Sequence, residues 1–193
     1  MRLGFALLDD APGAASNAES PPKPAFSPLG ASGRAEKFGA YPFAPAPVPG
    51  NPEAIRITSA WVQENIVVVQ IPQLSGIKGA PSSGRVQFHR LVAPKVVELF
   101  AAWESAGLLG TVLTWGGSFV PRFIRGSKSV LSSHAHGSAF DINAAWNGLN
   151  VVPARLGAKG SVRQLVSAAN ALGFYWGGHF SRPDGMHFEL AEL

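Results

Sequence analysis

The chain has no cysteine, only two methionines and two tyrosines in 193 residues, and charged side chains make up just 15% of it. Without cysteine there are no disulfides and no thiolate metal ligands, and the redox compartment stays open. No run of about 18 or more apolar residues occurs, so no membrane span is expected. A secretory leader is not evident either. The opening MRLGFALLDD meets Asp9 and Asp10 after a short apolar run, where a leader needs a longer one and a small-residue cleavage site. Basic residues interleaved with aromatics, as in a nucleic-acid groove, are also missing, which argues against a nucleic-acid partner. The net charge of +4 admits anionic partners but equally suits plain solubility.

What the chain does have is apolar residues, at 46%, enough for a compact core. Its length suits one folded domain, with a monomer as the default. Residues 11–50 are rich in Pro, Ala, Ser and Gly, with PPKPAFSP and YPFAPAPVPG the clearest parts. Such a composition cannot offset its ordering entropy alone, so residues 1–50 read as a tail or an extended strap and residues 51–193 as the folded domain. Phe26, Phe38, Tyr41 and Phe43 argue that the second half of the strap lies along that domain.

Beyond residue 51 the pattern mixes helix and strand. AIRITSAW and NIVVVQI have the β-branched content of strands. A helix should begin near Pro94, a favourable first-turn position, and stop before Gly107. LGTVLTW (109–115) reads as a buried strand. A second helix should begin at Ser161, with Gln164 completing a capping box, Val162, Leu165, Val166, Ala169 and Leu172 on one face, and Gly173 at its end. FYW and MHFEL are short strands. The order suggests an α+β fold: a small antiparallel sheet with flanking helices, after a Pro-rich N-terminal segment.

Two segments carry the chemistry. LSSHAHGSAFDIN (131–143) sets His134 and Asp141 seven residues apart, and PDGMHFEL (183–190) adds Asp184, His187 and Glu189. If SAFDIN is a strand, Ala139 and Asp141 share one face while Phe140 and Ile142 pack on the other. His187 and Glu189 likewise share a face, with Met186, Phe188 and Leu190 directed to the core. Gly137 lets the chain turn so that His134 meets Asp141. Two adjacent strands can then bring His134, Asp141 and His187 to one point on the sheet. Two histidines and a carboxylate suffice for a catalytic zinc with an open position, and Asp184 in the preceding turn can act as base. The pattern is that of a zinc hydrolase.

Ser132-x-His134-x-x-Gly137-x-Ala139-x-Asp141, followed by Trp176-Gly177-Gly178 and Asp184-x-x-His187, resembles the VanY-type zinc peptidases over roughly residues 103–189. That group includes D-alanyl-D-alanine carboxypeptidases and the L-alanyl-D-glutamate endopeptidases of cell-wall lysis. The resemblance implies zinc ligation by His134, Asp141 and His187, Asp184 as general base, and the stem peptide of bacterial peptidoglycan as substrate. Aspartate at 184 is closer to the endopeptidase branch. The family also implies an oxyanion-stabilising arginine after the strand near Trp115. Here Gly116-Gly117-Ser118 stands in that place, and Arg125 is favoured over Arg122 for the role.

The remaining candidates have plainer readings. His136 suits the surface or a place behind the ligands better than ligation, and His89 is structural. His179 is evenly balanced between substrate contact and simple exposure. Glu189 can orient a ligand histidine or, less in keeping with the pattern, act as the base. Trp115, Tyr175 and Trp176 are buried by default. Ser132 and Ser133 lack the surroundings of a serine nucleophile. The alternative function is a non-catalytic, zinc-containing wall-binding module, against which the presence of Asp184 argues.

Overall fold

The computed structural model describes residues 20–193. The opening residues read above as lacking a leader, and the first part of the Pro-rich segment, lie outside the described residues. Prolines keep residues 21–28 extended. The proline-free ASGRAEKF that follows contains good helix formers and makes α1 (Ala31–Phe38), a departure from a wholly extended strap. Phe38 is buried in the main core and Arg34 is buried with it. Next, β1 (Phe43–Pro45) pairs antiparallel with β2 (Ile55–Ile57), Phe43 opposite Ile57. Position 51, the expected start of the domain, falls within the connection of this hairpin.

AIRITSAW does not continue as a strand past Ile57. Trp61 instead opens the short helix α2 (Trp61–Asn65), its indole donating to the Phe38 carbonyl at 3.2 Å and its ring 4.4 Å from that of Tyr41. Two further strands, β3 (Ile66–Gln70) and β4 (Arg85–His89), form an antiparallel pair. The expected central helix is α3 (Ala93–Ser105), with Pro94 in its first turn. Its buried residues Val96, Leu99, Phe100 and Trp103 recur at helical spacing on one face.

The segment 109–115 is not the strand its composition suggests. Leu109–Thr111 form one 3-10 turn. The backbone N–H groups of Leu113 and Thr114 are both taken by the Asn143 side-chain oxygen, at 2.8 and 3.0 Å. An amide side chain thus satisfies donors that a neighbouring strand would otherwise take. Only Trp115–Gly117 pairs as a strand, β5.

With β6 (Ala139–Ile142), β7 (Phe174–Trp176) and β8 (His187–Leu190), it makes a four-stranded antiparallel sheet in the order β5-β6-β8-β7. The helix before β7 is α4 (Val166–Ala171), preceded by a 3-10 turn at Arg163–Leu165. Ser161 accepts from the Arg163 N–H at 3.3 Å, but Gln164 donates to the Ser161 carbonyl, so the reciprocal capping box does not form. On the core face of the sheet the Phe140 ring lies between those of Trp115 and Phe188, stacked at 5.7 and 5.5 Å. Trp103 of α3 meets both Phe140 and Phe188 edge-on. This aromatic packing fixes the facing of β6 and β8, and so leaves their alternate residues on the opposite face.

Candidate metal centre

The pairing of β6 with β8 sets Phe140 opposite Phe188 on the core face and Asp141 opposite His187 on the other. His134 arrives from the 3-10 turn Ser133–His136, which ends at Gly137 in the left-handed conformation (φ 64°). A side chain at 137 would also meet the His89 backbone nitrogen at 2.8 Å, so the turn that delivers His134 needs glycine twice over. His134 Nε2 is then 3.2 Å from Asp141 Oδ1 and 3.1 Å from His187 Nδ1. His187 Nδ1 is 3.0 Å from the same Asp141 oxygen. The three side chains form a buried group that could hold a metal ion.

The outward atoms of both imidazoles determine what faces inward. His134 Nδ1 lies 2.7 Å from the Ser118 carbonyl, a pure acceptor, so it carries the proton and leaves Nε2 bare. His187 Nε2 lies 3.1 Å from Glu189 Oε2 and 3.1 Å from Ser133 Oγ, so in the neutral ring it donates outward and turns a bare Nδ1 toward Asp141 and His134. With both rings neutral, two nitrogen lone pairs and a carboxylate oxygen would meet at little over 3 Å. Such a set needs a positive charge among its members, a proton on His187 in the metal-free protein or a metal ion in its place, and its donor types suit zinc. Burial alone would pull His187 down, but Asp141 and Glu189 together push it up to about 10 in the metal-free group. Burial works to raise Asp141 and Glu189, yet the histidines beside them hold both below the ordinary carboxylate range.

The group opens on a cleft of about 710 Å³. Asp184 lines it, with Oδ1 buried and without a hydrogen-bond partner. Burial, with Asp141 adding, pushes the Asp184 carboxyl above the usual range, although His187, His134 and Arg122 pull the other way. Arg122 and Arg125 both reach the cleft wall. Arg125 is committed elsewhere, its Nη1 lying 2.5 Å from Glu53 and 3.1 Å from Asn51. Among the described residues Arg122 has the Phe123 carbonyl, at 3.1 Å, as its hydrogen-bond acceptor, and its charge bears on Asp141 and Asp184.

Of the remaining positions, His136 and Met186 differ from expectation, while His89 and the aromatics agree with it. His136 is neither on the surface nor behind a ligand. It sits among Phe38, Tyr41 and Trp61, and burial lowers it to about 4. In the 3-10 turn, with three residues per turn in place of a strand's two, residues two apart no longer share a face, and His136 points away from His134 into that cluster. His89 is structural, bound to the Phe38 carbonyl at 3.1 Å. His179 is bound to the Pro21 carbonyl at 2.8 Å rather than free for substrate. Met186 lines the cleft instead of joining the core. Trp115, Tyr175 and Trp176 are buried. Three contributors, Ser118, Ser133 and Asn143, had no assigned role in the sequence reading. Ser118 acts through its backbone carbonyl, which leaves no mark in sequence. Asn143, fully buried with φ 55°, is the hub that fixes the end of β6, and an asparagine in the left-handed region after a strand was the available signal.

Among the described residues, no helix is long and apolar enough to cross a membrane. No curated protein and no solved structure matches the chain. Residues 125–190, a stretch shorter than half the chain that carries all three converging side chains and Asp184, match the family model described as D-alanyl-D-alanine carboxypeptidase, which supports a metallopeptidase related to the VanY-like family.

Proposed function

We propose that this protein is a zinc-dependent peptidase that hydrolyses a peptide bond in the stem peptide of bacterial peptidoglycan. The observation that carries the reading is the convergence of three possible metal-ligand atoms, from His134, Asp141 and His187, on the wall of a cleft that also holds a carboxylate with one unpartnered oxygen, Asp184 Oδ1. The matched family supplies the substrate class.

His134, Asp141 and His187 would hold the zinc, which when bound polarises a carbonyl and acidifies water. The remaining work falls to the chain itself. Ser118, Ser133 and Glu189 keep both imidazoles turned the right way. Asp184, raised by burial, takes the proton of the attacking water and returns it to the leaving amine. Arg122, rather than the Glu53-paired Arg125, offsets charge developing on the carbonyl oxygen.

The test is digestion of muropeptides by the zinc-loaded protein, with His187→Ala as control and products identified by mass spectrometry. Release of terminal D-alanine assigns a carboxypeptidase, and cleavage between L-alanine and D-glutamate an endopeptidase. If wall binding persists but no zinc-dependent product forms, the protein is a binding module and the proposal fails.

A further inference from the structure

The cleft is not built from the family-matched stretch alone. Pro28 and Leu29, about a hundred residues upstream of it, line the same cavity as the metal group. The strap that bears them is pinned at several points. The Pro21 carbonyl is bound by His179, and the Pro22 carbonyl accepts from Asn170 at 3.2 Å. Phe26 packs edge-on to Tyr175, which stacks on Phe180 at 5.7 Å, and the Phe180 ring lies 6.0 Å from that of His187. Arg34 completes the attachment. One arm of its buried guanidinium donates to the Leu29 carbonyl and the other to the Leu131 carbonyl at 2.9 Å, in the residue just before the motif that carries His134. Leu29 therefore cannot move independently of the metal-bearing turn. Behind it stands the main core, so it cannot retreat from the cleft either.

Building on the peptidase reading above, we propose that Leu29, with Pro28 and Phe180, forms a specificity pocket for a small aliphatic side chain adjoining the scissile bond. An apolar wall on the cleft that holds His187, tied by these contacts and backed by the core, favours a methyl-sized group over larger ones, because a well-packed wall yields little to extra carbons. Arg34 is the positioning residue that keeps the wall in place.

The experiment uses the full zinc-loaded chain and a set of synthetic stem peptides in which each residue flanking the cleaved bond is alanine, valine or leucine of the appropriate hand. Leu29→Ala should narrow the preference for alanine over leucine in kcat/KM by roughly tenfold or more, the scale on which an apolar pocket discriminates side-chain size. Leu29→Val, a milder change, should narrow it less, and serves if the alanine variant does not fold. Calorimetric binding of the same peptides to Asp184→Asn protein, with and without the Leu29 changes, gives a readout independent of turnover. An unchanged alanine-to-leucine ratio in folded variants overturns the proposal. Altered binding ratios without any turnover in the wild type would preserve the pocket and sink the peptidase reading. Absence of both binding and turnover would sink both.

Discussion

Glu189 lies on the same strand face as His187 and, with Ser133, binds its outward nitrogen, so this carboxylate helps decide which nitrogen His187 would present to a metal. Glu189→Gln should weaken zinc binding by about 10–100-fold, the usual effect of losing such a partner, as measured by chelator competition. Asp184 gives a prediction whose sign is opposite to that of most acids. Its carboxyl is raised in the folded, metal-free protein, so the folded state binds that proton more tightly than the unfolded chain. Its stabilising contribution is therefore full below the unfolded value of about 3.9 and is lost as pH rises through the folded one. Asp184→Asn should accordingly stabilise the metal-free protein at pH 7, with the gain gone near pH 3, in urea melts across that range. For the arginines, Arg122→Ala should lower kcat by roughly 100- to 1,000-fold. Arg125→Ala, which breaks a half-exposed ion pair, should leave kcat within a few-fold; steady-state kinetics of both variants decides between them. Strand parity made Asp141 and His187 legible in the sequence. The pairing of Arg125 with Glu53, which bears on the choice between the two arginines, was not, because Glu53 is more than seventy residues away in the chain.

Among the elements, α3 was legible because its apolar residues repeat at helical spacing, and β6 and β8 because theirs alternate. The segment 109–115 was not, since its composition suits a strand while Asn143 takes the hydrogen bonds a strand would have used. Helix α1 was hidden by the prolines on either side of it. The approach of β5 to β6 explains the glycine at 116: a β-carbon there would lie 2.9 Å from that of Asp141. Gly116→Ala should therefore displace Asp141 without substituting it. Its expected cost is about 1–3 kcal/mol of stability, as for other overpacked sites. A fall in zinc affinity, read by the same chelator competition, should accompany it, and unchanged affinity would show that Asp141 is not held by β5.

For the molecule as a whole, metal and fold are linked. A ligand that binds only the folded state at 1,000 times its Kd adds about 4 kcal/mol. At roughly 2–4 °C per kcal/mol for a chain of this size, zinc should raise Tm by about 8–16 °C, and a chelator should reverse the shift in differential scanning calorimetry. The strap belongs in this account too, since its helix contributes Phe38 to the main core. Reading residues 1–50 as separate from the domain followed from composition, which does not register that one helix and one hairpin strand within it are packed and paired. The register between Asp141 and His187 also has a meaning in time. His134 and Asp141 leave the ribosome 46 or more residues ahead of His187, and until that strand is made and inserted beside β6 there is no third donor. A nascent or prematurely ended chain thus lacks the complete group, and any activity that depends on it, such as the peptidase activity proposed above, would be withheld for as long as translation lasts.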